Sequence, residues 1–287
     1  MAADVCGCPA RRVVEKSNST RARPNDVVVV FLARQRNARS ARNGTGRSVK
    51  VVSARPITLD VAGHHDARLA LLDRLAERVP HGSRLLSSVV SNRSECLYPA
   101  EQRSIERAVD KRRHEFSTGR WLARAGLRDL GFPDQPILAG GAREPLWPPG
   151  VVGSITHSAA VCAVLFGLSR DYRSVGIDLE LSQLSHEGFA AMLLTPEERP
   201  GIRSMDELRL VFSAKEAVYK AAYPLCRTFL DFQDVVIRLD RSSRTFRAVA
   251  RNEAAAAAGL ERGQGLFEID NGGTATLFAI EEGANRS

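Results

Sequence analysis

The chain has 287 residues, 41 of them basic and 33 acidic, for a formal net charge of +8. Residues 1–60 hold 12 Lys/Arg against 4 Asp/Glu, which is the whole +8, so residues 61–287 carry 29 of each and are neutral. The basic balance therefore belongs to a tail, which removes the charge argument for a nucleic-acid surface on the body. The five cysteines are odd in number and offer no second pair at zinc-ligand spacing beside Cys6 and Cys8, so neither a disulfide framework nor a zinc site is indicated.

The tail is rich in Arg, Ser and Asn and is expected to be disordered. Its one apolar run, residues 27–32, falls short of the roughly 20 residues a bilayer requires and is marginal for a signal peptide, whose apolar region runs about 7–15 residues. An Arg-rich, acid-poor start also resembles a transit peptide. A different start site is a further reading; because the first internal Met is Met192, it would need a non-Met codon, such as one for a Val between Val51 and Val61. A reducing cytoplasm, no membrane span and a monomer are expected.

The body, roughly 220 residues, is large enough to bury a core unaided. Residues 65–79 read as an amphipathic helix with Leu69, Leu72, Leu75 and Val79 on one stripe, followed by a strand at 83–90. Pro99 opens a long helix to about residue 130, closed by Gly131-Phe132-Pro133. Next come a turn, a strand to Ile155, a loop at His157, a strand at 159–166 that holds Cys162, and an acidic strand at 174–180. Helices are predicted at 187–194 and 205–223, strands at 233–239 and 244–250, a helix at 252–260, and strands at 266–269 and 274–280. Strands and helices mix without a βαβ rhythm, which makes the class α+β.

Two segments carry chemistry. In Ser174-Val175-Gly176-Ile177-Asp178-Leu179-Glu180 the strand period puts Asp178 and Glu180 on one face, opposite Ile177 and Leu179. Two carboxylates that close repel by roughly 4 kcal/mol at an effective dielectric near 20. Either the strand end is hydrated, or a cation sits between the acids, magnesium being favoured by all-oxygen donors. On the repulsion argument, removing one acid is expected to raise the metal-free melting temperature. In the second segment, residues 210–221, Phe212, Glu216, Tyr219 and Lys220 share a broad helical face. Ser213 and Glu216 also fit a capping box, and Glu216 with Lys220 an i, i+4 ion pair. The same residues suit a metal-bound, phosphorylated ligand, and both readings stand.

G-I-D-x-E followed some thirty-five residues later by F-S-x-K-E-A-x-Y-K resembles the signature of the 4′-phosphopantetheinyl transferases. The likeness is to their larger, pseudo-dimeric class, the type that activates enterobactin, surfactin and polyketide synthases. Further blocks match in order. Residues 110–120 (DKRRHEFSTGR) are similar to the family's basic helix, 143–148 (REPLWP) to its G-x-P-x-W-P turn, and 153–158 (GSITHS) to its S-x-T-H phosphate loop. The five blocks cover roughly residues 95–240; the two acidic motifs are specific, the helix and the turn weak alone.

The resemblance implies two similar α+β halves related by a pseudo-twofold axis, with the active site in the cleft between them. Residues 61–172 and 173–287 would be the halves, after the tail 1–60. It implies transfer of phosphopantetheine from coenzyme A to a serine of an apo carrier protein of fatty acid, polyketide or non-ribosomal peptide synthesis. A degenerate module that binds coenzyme A or a carrier without turnover is the alternative. Asp178, Glu180 and Glu216 would hold Mg2+ (or Mn2+), with Glu216 also the general base. Lys220 would contact the pyrophosphate and His157 a phosphate. Arg112 and Arg120 would hold the 3′-phosphate, with Arg113 competing for the place of Arg112. Lys215 and Tyr219 would complete the coenzyme site, and Phe212 with Tyr219 would flank the pantetheine arm unless Phe212 packs in the core. Relatives often carry a lysine just before the turn; residues 138–143 here are LAGGAR, so coenzyme A is expected to bind more weakly unless Arg143 substitutes.

Overall fold

The computed structural model describes residues 69–181 and 188–283. The tail, and the beginnings of the helices predicted at 65–79 and 187–194, lie outside these. The helices are α1 Ala70–Ala76, α2 Pro99–Arg103, α3 Asp110–Asp129, α4 Phe189–Leu193, α5 Met205–Cys226 and α6 Glu253–Ala257. The strands are β1 Ser83–Val89, β2 Val151–Ser158, β3 Val161–Leu168, β4 Tyr172–Glu180, β5 Val235–Asp240, β6 Thr245–Ala250, β7 Gly263–Asp270 and β8 Gly273–Glu281. They form two antiparallel sheets, ordered β1-β3-β2 and β4-β8-β7-β6-β5. The class is α+β, as the mixed element order indicates.

The two sheets repeat one topology. In each, a first strand (β1, β4) leads to a long helix (α3, α5), and a closing hairpin then places its last strand (β3, β8) beside the first. The hairpin β5–β6 extends the second sheet. Leu122, Ala123 and Leu127 of α3 pack on Leu86, Cys162, Val164 and Phe166 of the first sheet. Val211, Ala214, Val218 and Ala221 of α5 pack with Phe246, Phe267 and Phe278 of the second. The remaining faces meet in a third core, where Leu85, Val161 and Leu165 lie with Val175, Ile177, Leu179 and Leu277 beneath Leu71, Leu72 and Leu75 of α1. Ile177 and Leu179 thus fill the core between the sheets, while the opposite face of β4 is turned to α5. That contact is close: a Cβ at Gly176 would lie 1.9 Å from the Ala217 carbonyl oxygen. The glycine in the acidic motif is there to admit the helix backbone.

Three local expectations are corrected. The helix predicted from Pro99 to about residue 130 is two helices, α2 and α3. Glu101 is fully buried, and its carboxylate accepts from the amides of Tyr98 and Ile137 (both 2.9 Å) and from Arg124 (2.8 Å). Arg113 donates to the carbonyls of Ala108 (2.8 Å) and Glu106 (2.6 Å) in the break. These long-range bonds hold α2 away from the α3 axis. Second, His157 is on a strand, not in a loop: β2 runs through Ser158 and turns at Ala159 and Ala160, with φ of 43° and 66°. A two-residue turn with positive φ at both positions matches the twist of a hairpin. Third, Ser213 is no cap. Helix α5 starts eight residues earlier, where the Ser204 hydroxyl accepts from the Glu207 amide (3.2 Å).

Candidate active site

β2 and β4 are edge strands of different sheets, and they meet through side chains rather than a backbone ladder. Ser154, Thr156 and Ser158, two residues apart on β2, share one face. The Ile177 amide donates to Ser154 Oγ (3.2 Å) and the Leu181 amide to Ser158 Oγ (3.1 Å). Thr156 Oγ1 donates to Asp178 Oδ1 (3.3 Å), and Ser158 Oγ lies 3.5 Å from Glu180 Oε1. The hydroxyls of the S-x-T-x-S pattern therefore satisfy an edge that would otherwise bury unpaired amides beside the acidic strand.

On the α5 side of this seam, Asp178 is nearly buried. Its Oδ2 accepts from Ser213 Oγ (2.8 Å) and its Oδ1 from Lys220 Nζ (2.7 Å). Lys220 also donates to the Ile177 carbonyl (3.2 Å) and lies 3.4 Å from Thr156 Oγ1. Its short ion pair is thus from α5 to β4, not the helical pair with Glu216 that spacing suggested. Burial raises the pKa of Glu216; Lys220 opposes this, and the charges of Asp178 and Glu180 add to the rise. Three carboxylates therefore act on one region against a single ammonium, all through hard oxygen donors. Among the described residues, however, no three His, Cys, Asp or Glu side chains converge on a point that could hold a metal ion. The predicted trio shares a neighbourhood, with Lys220 standing on Asp178 in the place a cation would take. Glu216, Tyr219 and Lys220 line a cavity of about 430 Å³ walled by Trp147, Tyr223 and the β2 edge.

On the other side of β2, His157 points toward α3. Arg112, Glu115, Arg120, Arg143 and His157 line a second cavity of about 330 Å³. Arg112 donates to His157 Nε2 (2.9 Å), and His157 Nδ1 lies 3.5 Å from a Glu115 oxygen. Burial holds the His157 pKa below its ordinary value, with Glu115 pulling it up and Arg112 and Lys220 pushing it down. Arg120 donates to the Ile137 carbonyl (2.6 Å) and lies over the Phe116 ring (4.3 Å). Burial lowers its pKa to about 10, so it stays cationic at neutral pH. Arg112 lines this cavity, whereas Arg113 is tied to the carbonyls of the α2–α3 break. The two cavities are neighbours on either side of β2, with Arg143, Pro145 and Ile155 lining both. Arg143 holds a left-handed backbone (φ 68°).

Lys215 is a correction. Its ammonium donates to the carbonyls of Leu193 (2.8 Å) and Phe232 (2.6 Å) and pairs with Glu198 (2.8 Å), with both side chains 2% exposed. All three hydrogens are used in a structural pin, and none is left for a coenzyme. Burial pushes its pKa down, against the pull of Glu198. Phe212 also belongs to the core, in edge contacts with Phe189 (5.5 Å) and Phe232 (5.8 Å). Tyr219 stays at the cavity wall beside Tyr223 (5.9 Å) and Phe229 (5.6 Å). Reasoning from sequence missed Ser213, Glu115 and the seam hydroxyls. The alternation Ser154, Thr156, Ser158 was a legible signal for the last; Ser213 was hidden by its resemblance to a cap.

Two family models match the chain in succession. Residues 100–167 match the 4′-phosphopantetheinyl transferase N-terminal domain, and residues 174–269 match the 4′-phosphopantetheinyl transferase superfamily. The chain is 41% identical over 159 residues to 4′-phosphopantetheinyl transferase Svp of Streptomyces mobaraensis, which is 53% of this chain and 65% of that protein. It is 41% identical over 160 residues to 4′-phosphopantetheinyl transferase PptT of Mycobacterium tuberculosis, covering 53% of this chain and 70% of that one. The matched stretch thus spans about two thirds of these relatives. A solved structure described as a Chronobacterium ammoniagenes ACPS–CoA complex aligns at TM-score 0.31 and 21% identity over 38% of this chain and 96% of that one, a likeness too slight to build on. With two successive family models matched and PptT aligned at 41% identity over 70% of its length, the chain belongs to the 4′-phosphopantetheinyl transferase superfamily.

Proposed function

We propose that this chain transfers 4′-phosphopantetheine from coenzyme A to a serine of an apo acyl or peptidyl carrier protein and releases adenosine 3′,5′-bisphosphate. The observation that carries this reading is the adjacency of two cavities, one lined by Arg112, Arg120, Arg143 and His157 and the other by Glu216, Tyr219 and Lys220, with Arg143 lining both. Coenzyme A has the matching order of charge, a terminal 3′-phosphate, then a pyrophosphate, then a long neutral arm. The arginines and His157 suit the 3′-phosphate through charge-assisted hydrogen bonds. Lys220, turned from Asp178, suits the pyrophosphate, and Tyr219 the start of the arm.

Glu216 is the proposed general base. A carboxylate whose pKa burial has raised is a better proton acceptor than an exposed one. In the step, the serine oxygen forms a bond to the β-phosphorus and its proton passes to Glu216. The bond from that phosphorus to the bridging oxygen breaks, and adenosine 3′,5′-bisphosphate leaves with the electron pair. Asp178, Glu180 and Glu216 would hold Mg2+, or Mn2+ in its place: their donors are all hard oxygens, and the three side chains would have to draw together as Lys220 leaves Asp178. When bound, that ion supplies neutralising charge at the pyrophosphate.

The proposed halves, 61–172 and 173–287, divide after the first residue of β4, and one chain provides the walls of both cavities, which supports a working monomer. The carrier would come from fatty acid, polyketide or non-ribosomal peptide synthesis, and the cytoplasm is the proposed location. Among the described residues no helix is long and apolar enough to cross a membrane. Intact-mass measurement of an apo carrier after incubation with the chain, coenzyme A and magnesium tests the reading. A phosphopantetheine increment that EDTA abolishes is the expected result. Coenzyme A binding with no increment on any of several carriers would leave only the turnover-free alternative.

A further inference from the structure

The basic pocket contains one acid, and the function proposed above has no use for it. Glu115 lies on α3 with its side chain 12% exposed, 3.5 Å from His157 Nδ1 and 4.0 Å from both Lys111 and Arg112. A carboxylate beside a phosphate site repels the ligand by several kcal/mol at short range in a partly buried setting. Simple electrostatics would leave a glutamine there.

The contacts of His157 indicate what the carboxylate does. Arg112 is a donor only, so the 2.9 Å contact requires a lone pair on His157 Nε2. The ring proton must then sit on Nδ1, the nitrogen that faces Glu115. We propose that Glu115 is a positioning residue that keeps the His157 proton on Nδ1, so that when Arg112 turns to a bound phosphate, Nε2 takes a proton from solvent and His157 becomes a second cation on that phosphate. This rests on the reading that the coenzyme's 3′-phosphate occupies the pocket.

The balance is simple. A neutral imidazole gains one proton from buffer at Nε2, and no other bond changes. The groups facing His157 are Lys111, Arg112 and Glu115 from α3 and Lys220 from α5. In the ligand-free protein the cations and burial hold the ring neutral, and Glu115 is the group that favours the charged form. An arriving phosphate dianion reverses that balance, and Glu115 supports the imidazolium from behind, as a carboxylate partner does for any oriented histidine.

The test is calorimetric titration of the full chain with coenzyme A near pH 7, in two buffers of different ionisation enthalpy. Dephospho-coenzyme A, which lacks the 3′-phosphate, is the control. Wild type should take up a large fraction of one proton with coenzyme A and essentially none with the control. Glu115→Gln should lose the uptake and bind coenzyme A about tenfold more weakly, the equivalent of one pKa unit. Uptake retained in Glu115→Gln, or tighter binding by it, would show that the carboxylate merely repels. Should that variant not fold, 15N chemical shifts of His157 in wild type decide alone: Nε2 unprotonated when free and protonated with coenzyme A is the expected pattern, and an unchanged Nε2 overturns the proposal. Coenzyme A binding without proton uptake sinks this inference and leaves the proposed function standing. Absence of any binding removes both.

Discussion

Replacing Asp178 by Ala reverses the sign that the sequence suggests. Two acids on one strand face imply relief of repulsion and a higher melting temperature. In the structure Asp178 is 7% exposed and accepts from Ser213 (2.8 Å) and Lys220 (2.7 Å). The substitution strips a buried hydroxyl of an ionic acceptor, which costs about 1–3 kcal/mol. It also leaves the Lys220 ammonium in a site that is three-quarters covered, with only the Ile177 carbonyl and Thr156 as partners. Breaking one side of a fully buried ion pair costs about 3–5 kcal/mol, and the exposure of Lys220 and relief at Glu216 reduce that. A net loss of about 2–4 kcal/mol follows, or roughly 4–16 °C in Tm for a protein of this size. Thermal unfolding without magnesium measures it, and Asp178→Ala/Lys220→Met should recover about half the loss because no stranded charge remains. An Asp178→Ala protein as stable as wild type or more so would falsify the ion-pair account and return the site to simple repulsion.

Other perturbations separate the roles of neighbouring residues. The Glu216 pKa is raised in the folded state, so its protonated form stabilises the fold below the ordinary carboxylate pKa, about 4.5, and that stability is lost as pH rises through the folded value. Denaturation at several pH values should therefore show wild type losing stability relative to Glu216→Gln from about pH 4.5 upward, and a pH-independent difference would refute the shift. Lys215→Met should cost about 3–5 kcal/mol by stranding Glu198, with the KM for coenzyme A unchanged; a raised KM in a stable variant would put Lys215 back at the coenzyme. Arg112→Ala should raise that KM about tenfold or more through a lost charged hydrogen bond of about 1.5–3 kcal/mol, whereas Arg113→Ala should alter only stability. Gly176→Ala should unfold the protein or lower its stability by more than about 4 kcal/mol, because the added methyl would meet the Ala217 carbonyl; a well-folded variant would show that α5 can retreat.

The parts of the site that sequence revealed are those fixed by a local period. Alternation along β4 placed Asp178 and Glu180 on one face whatever lay around them, and the helical period put Glu216, Tyr219 and Lys220 together on α5. What stayed hidden depends on partners far along the chain. The break between α2 and α3 is enforced by Glu101 reaching Ile137, 36 residues away. Ala159 and Ala160 take positive φ with no glycine or asparagine to signal a turn. Lys215 is one residue from Glu216, but the 100° step of the helix sends it to Glu198 on another wall. The likeness of the two sheets lies in the orders β1-β3-β2 and β4-β8-β7, a property of strand pairing that no local sequence pattern displays.

The most direct test of the whole account is the rate at which apo carrier protein gains the phosphopantetheine mass, followed by intact-mass spectrometry for wild type and Glu216→Gln at saturating coenzyme A and magnesium. Wild type should convert the carrier, and Glu216→Gln should do so about 10²–10⁴-fold more slowly while keeping its fold. An unmodified carrier with folded wild type, or a Glu216→Gln rate above about a tenth of wild type, well short of the loss expected for a missing base, would contradict it.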